Sequence, residues 1–218
     1  MISENKKVTR SQMVKRCIML LLGIFLMGTG MVLIIKTKTG SSPMSSVTNI
    51  MTQVYPALSL GAYTFLLNTI FFVGEFIVIP KNFSLSKFLQ LIPTFFLSIA
   101  VDANMFLLWN VMPNAYVMKI AVLIIGCMIF GFSIALMVAA DVILMPGDAF
   151  VKVISVKYNM EYGNVKMAVD IIMVLLAAVV SLTFLKTIYG VGEGTLIAAL
   201  TIGNFMKVFK KFTCKLVS

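Results

Sequence analysis

Two glycines and a proline return at a constant distance along this chain: Gly23, Gly28 and Pro43 recur as Gly126, Gly131 and Pro146, each 103 positions on. The register extends past them. Ser45 and Asp148 each lie two residues beyond their proline, and after a one-residue slip Gly61 matches Gly163 and Asn68 matches Asp170. The matches fall on residues that shape the backbone, and on a polar position inside an apolar run. Six of them in one order point to a duplicated unit, with a first copy over 1–114 and a second over 115–218.

What that unit is depends on the solvent. Sixty per cent of the 218 residues are hydrophobic, 12% are charged, and the mean hydropathy is +1.03. A soluble domain of this size cannot hide so much apolar surface, so the solvent is lipid. In lipid each backbone polar group must be satisfied within its own segment, and long apolar runs therefore fold as helices. The expected fold is an all-α, polytopic membrane protein with six transmembrane helices near 15–35, 60–79, 86–111, 115–140, 164–185 and 193–208. The first apolar run, 17–35, is long enough to cross a ~30 Å hydrocarbon core and longer than a signal peptide's apolar region, so it reads as a retained span.

Two connections, near 43–57 and 146–158, open on Pro43 and Pro146 and then turn apolar. Val47, Ile50, Met51 and Val54 share one helical face in the first; Phe150, Val153, Ile154 and Lys157 share one in the second. Both are too short to span, and read as interfacial or re-entrant half-helices. The re-entrant reading needs them buried in protein or lining water.

The formal net charge of +10 resembles a nucleic-acid signal until the charges are placed. They gather at the termini and short connections, where they set membrane orientation, so no nucleic-acid partner is expected. With the N-terminus in the cytoplasm, fourteen Lys and Arg residues fall inside and Lys36, Lys38, Lys119 and Lys186 fall outside. Both termini are then cytoplasmic and each half holds three spans. The Pro43 segment lies outside and the Pro146 segment inside, so the repeats are inverted, an arrangement common in secondary transporters.

Catalytic and metal chemistry find little here. The chain has no histidine, and Cys17, Cys127 and Cys214 form no spaced pattern. There is no nucleophile motif and no ligand cluster, so neither an enzyme, a metal nor a cofactor is expected. The 17 methionines lack metal-ligand spacing and read as lipid-facing and core filler. Gly192-Glu193-Gly194-Thr195 lacks the Gly-Lys-Ser/Thr ending of a phosphate loop. It reads as a turn and helix cap, although free N–H groups at a helix start also suit an anion.

The candidate site residues are the polar ones at lipid depth: Asn68, Asp102, Asp170, Ser45, Asp148 and Glu75. Asn68 and Asp170 each sit about two turns, ~10 Å, into their spans beside their own half-helix. Burying an ionised carboxylate costs about 2.5–3.5 kcal/mol or more, and no arginine lies deep enough to pair with these acids. With no basic partner expected for Glu75, Asp102 or Asp170, they must be protonated, hydrated in a cavity, or matched by a cation. They then form either a proton- or cation-responsive site between the repeats or simple interhelical hydrogen bonds. Asp148, with Ser45 and Ser46, has a further reading as a helix cap, and Asp141 one as an interface residue.

Arg16 before a Gly-rich first span, the Gly40-x-x-Pro43 turn, Pro146-Gly147-Asp148-Ala149 and Gly192-Glu193-Gly194-Thr195 together resemble the YitT/YczE-like family of bacterial membrane proteins. Ser45 departs from that pattern, standing where the family's first repeat often carries an acid, and Ala177 and Ala178 replace an expected glycine pair. The resemblance implies a six-span protein of the bacterial cell membrane with no established activity. Two functional readings follow. One is a transporter or permeation pathway for a small polar solute, coupled to protons or cations. The other is a non-transporting component that binds a partner protein or lipid. The small mass of 24.0 kDa weighs against the first, an objection that a homodimer would remove.

Overall fold

A computed structural model describes residues 10–80, 85–187 and 190–217, the side chains of 11, 85 and 214–217 aside. Lys6, Lys7, Lys81 and Glu4 lie outside the described residues, as do the side chains of Cys214 and Lys215. The described chain is helical throughout, with no strand. In order it forms α1 (Arg10–Lys36), α2 (Pro43–Val54), α3 (Leu60–Val78), a 3₁₀ stretch (Leu85–Gln90), α4 (Leu91–Leu107), α5 (Tyr116–Ala140), α6 (Pro146–Lys157), α7 (Tyr162–Val180) and α8 (Glu193–Val217). A π-helical turn, Ser181–Leu185, prolongs α7.

Five of these helices are long and apolar enough to cross a membrane: α1, α3, α4 with its 3₁₀ start, α5, and α7 with its π turn. The chain is thus a multi-pass membrane protein. The sixth expected span, 193–208, lies in α8, which is not among the five. Glu193 at one end and Lys207, Lys210 and Lys211 at the other leave only 194–206 free of charge, which is short for a ~30 Å core.

The core divides in two. One cluster joins α1, α4, α5 and α8 through Ile24, Val32, Val101, Leu123, Cys127 and Ala198. Its seam is the antiparallel pair α1 and α5, which approach closely because Gly30 and Gly126 face each other's backbone. A Cβ on Gly30 would stand 2.7 Å from the Phe130 nitrogen. Gly28 and Gly131 do the same for the packing of α1 on α4 and of α5 on α8. The second cluster joins α2, α3, α6 and α7 through Phe71, Val151, Val165, Val169 and Met173, with Met44 and Val47 against it. Here the half-helices cross over: α2 packs on α7, and α6 packs on α3.

The depth of the half-helices follows from their neighbours. Lys157, the last residue of α6, donates to the Val78 carbonyl at the end of α3 (2.7 Å). Twelve residues of helix extend ~18 Å, so the start of α6 reaches about the middle of α3. Phe150 packs there on Phe71, with ring centroids 5.5 Å apart. The opposite holds for α2, whose Tyr55 cap carbonyl accepts from Tyr63 in the first turn of α3 (2.7 Å). At its other end Met44 meets α6: a Cβ on Gly147 would lie 2.8 Å from the Met44 methyl. Both half-helices therefore begin at one meeting point and run apart.

Candidate functional site

Each half-helix starts on a proline, whose fixed φ suits the first helical position and whose missing N–H costs nothing there. Neither start has a side-chain cap. The hydrogen-bonded cap expected of Ser45, Ser46 and Asp148 is absent, although Asp148 does stand in the first turn of α6, where an acid complements the helix dipole. Ser45 and Ser46 donate their hydroxyls to the Ser42 carbonyl (3.1 and 3.0 Å) in place of accepting backbone N–H groups. With Ser41 and Ser42 they form a buried hydroxyl cluster, anchored where Ser41 donates to the Gly190 carbonyl (2.8 Å). A short side chain one turn into a helix is near that carbonyl, which is why it is taken.

Asp148 turns away from its own helix toward α7. Tyr162 donates to its Oδ1 (3.3 Å), and Lys166 Nζ lies 3.7 Å from the same oxygen. Lys166 also stands 3.2 Å from Oδ1 of Asp170, one turn along α7, although the pair is not aligned as a hydrogen bond. The same amine donates to Met44 Sδ on α2 (3.6 Å). One lysine thus binds two acids from two helices and touches the start of the third. All three ionic side chains are partly open, at 37%, 29% and 28% exposure for Asp148, Lys166 and Asp170. The cluster carries one net negative charge when fully ionised.

The expectation that Asp170 has no basic partner is wrong. Lys166 and Asp170 stand at i, i+4, the spacing that places two side chains on one helix face, so the pairing was readable from the sequence. Tyr162 and Met44 also escaped sequence reasoning. Tyr162 is eight residues before Asp170, but Met44 carries no signal, since its role comes from the meeting of two helices.

The other candidates lie elsewhere. Asn68 is half-buried and donates back to the Thr64 carbonyl (2.9 Å), joining none of the ionic cluster. Asp102 sits against the start of α3, where Ser59 donates to Oδ2 (2.6 Å) and the Gly61 N–H to Oδ1 (2.7 Å). Its charge is met by a helix N-terminus, a partner that a search for basic residues overlooks. Glu75, also expected to lack a basic partner, is 1% exposed and ion-paired with Lys87 from the 3₁₀ stretch, with Gln90 donating at 3.3 Å. Asp141 closes α5 in the left-handed conformation, at φ 47°. In the Gly192–Thr195 stretch, the Gly194 N–H donates to Thr39 (3.1 Å), and Thr195 Oγ1 accepts from Ser41 and Gly192. That helix start is occupied by the chain itself.

A family model described as a family of unknown function, DUF6198, matches residues 14–211. No curated protein and no solved structure matches the chain.

Proposed function

The chain belongs to the DUF6198 family, which supplies no activity to borrow, and from the geometry we propose a membrane transporter or permeation pathway for a small polar solute. The observation that carries this reading is the meeting of two uncapped half-helix starts beside the Asp148–Lys166–Asp170 cluster. Uncapped N–H groups and the positive ends of two helix dipoles receive a polar or anionic group of a solute. The net negative cluster takes a proton or a cation, which gives the coupling. Lys166 holds both acids in place until one of them is neutralised.

The reading includes an inverted duplication of 1–114 and 115–218. In its support, α1 packs on its counterpart α5, and α2 and α6 exchange partners between α3 and α7. Two-fold symmetry requires such reciprocity. With α8 counted as the sixth span, the distribution of basic residues supports placing both termini on the cytoplasmic side of a bacterial cell membrane. Gly61 is tight against α4 through Asp102, whereas Gly163, its counterpart on α7, meets only Glu161 Oε1 at 3.9 Å. The two copies thus differ in how tightly this position is packed.

Comparing solutes taken up or released by vesicles with and without the protein identifies the cargo. Flux is then measured in proteoliposomes under imposed proton or sodium gradients. Asp170→Asn, Asp148→Asn and Lys166→Met are each expected to abolish coupled flux while the protein remains folded. Flux indifferent to both gradients and to all three substitutions would refute the coupled reading and leave a passive pore. No flux of any solute would favour a component that binds a protein or lipid.

A further inference from the structure

We propose that a cavity at the lysine-rich end of the bundle holds the headgroup of an anionic phospholipid with a hydroxyl-bearing head. The cavity has a volume of about 480 Å³ and lies between α6, the end of α3 and the 3₁₀ stretch before α4. It shares no residue with the Asp148–Lys166–Asp170 cluster, and the proposal does not depend on transport. Its ionic lining is Glu75, Lys87, Lys152 and Lys157, a net positive set that attracts an anion. Glu75 is already paired with Lys87, and Lys157 is anchored on the Val78 carbonyl, so Lys152, exposed at the mouth, is the principal free charge.

A second observation selects the head. Gln90 is only 8% exposed; its amide nitrogen donates to Glu75, but its Oε1 is buried with no hydrogen-bond partner. A buried acceptor left unpaired costs about 1–3 kcal/mol, so a ligand that brings a donor to this oxygen is favoured. A phosphodiester carrying a glycerol hydroxyl supplies both the anion and the donor. The volume exceeds what a lone phosphate fills and lies in the range of small-molecule sites. The rest of the wall is mostly apolar, and Val156 at its rim is 74% exposed, placed to meet an acyl chain. A lipid therefore suits the site better than a soluble phosphate ester.

The test uses full-length protein in detergent, titrated with phosphatidylglycerol and followed by native mass spectrometry. Phosphatidylethanol serves as an equally anionic head without a hydroxyl, and glycerol 3-phosphate as the head without a tail. Lys152→Glu is expected to weaken phosphatidylglycerol binding about 25-fold, since each unit of charge near an anionic lipid is worth about fivefold and the substitution changes two. Gln90→Leu should erase the preference for phosphatidylglycerol over phosphatidylethanol, and Lys119→Glu, at the opposite end, should change nothing. Equal binding by wild type and Lys152→Glu overturns the proposal. So does an equal loss in Lys119→Glu, which marks a diffuse charge effect, and so does glycerol 3-phosphate competing as well as the lipid. If Gln90→Leu impairs folding, Lys152→Glu carries the test alone, because its side chain is exposed.

Discussion

Asp102 is retained in an apolar span because the start of another helix satisfies it. Its two oxygens accept from Ser59 and from the Gly61 N–H, while Ser59 itself accepts from the Ala62 N–H (3.0 Å). Gly61 is required there, since a Cβ would collide with the Ser98 backbone carbonyl and stand 2.6 Å from Asp102 Oδ2. Asp102→Ala should therefore lower stability by about 1–2 kcal/mol, the usual range for a lost cap, and Asp102→Asn by less. Thermal unfolding in detergent measures both; an unchanged midpoint for Asp102→Ala would remove the cap role. Glu75 tests the opposite situation, a buried charge with a charged partner. Lys87→Met leaves Glu75 unpaired and should cost about 3 kcal/mol, whereas Glu75→Gln together with Lys87→Met should recover most of that loss. Equal losses in the single and double variants would show that the carboxylate is not what needs the lysine.

The helices meet where small residues let them. At Gly30 the obstacle to a larger side chain is the Phe130 backbone, which cannot rotate aside as a side chain would. Gly30→Ala should cost about 1–3 kcal/mol by forcing α1 and α5 apart. Gly203, in α8, is the control, with nothing within 4 Å of an added Cβ. Gly203→Ala should stabilise by up to about 1 kcal/mol through helix propensity alone. The two unfolding midpoints must move in opposite directions for this account of the seam to stand. The spans and both half-helices were legible in the sequence because hydrophobic run length and a leading proline are local signals. The half-helix expected near 43–57 ends at Val54, and that near 146–158 at Lys157. The status of α8 was less legible, because three lysines near its end interrupt the apolar run without ending the helix.

Across the whole molecule, topology is open to a direct check. Single cysteines replacing Lys38 and Tyr158, both exposed, are introduced into a background without native cysteines. Impermeant labels should reach them from opposite sides of the membrane, with Tyr158→Cys reached from the side of the termini. Labelling of both from one side would sink the inverted arrangement.

The membrane class, the helical fold and the half-helices were determined by the sequence itself. Each follows from composition, the length of apolar runs or a residue with restricted backbone geometry, and none needs knowledge of a distant segment. Among the polar residues, the sequence set only which acids lie at lipid depth and the i, i+4 spacing of Lys166 and Asp170. Their remaining partners were decided by the tertiary structure. Asp102 answers to a helix start 41 positions before it, Lys166 to acids on two helices and to Met44 on a third, and Glu75 to a lysine beyond the end of its own helix. Hydrophobic patterning specifies which face of a helix is apolar, but it leaves rotation and depth against each neighbour free. Those two variables set which polar groups come within hydrogen-bond reach, and packing at Gly30, Gly126 and the half-helix meeting point settles them.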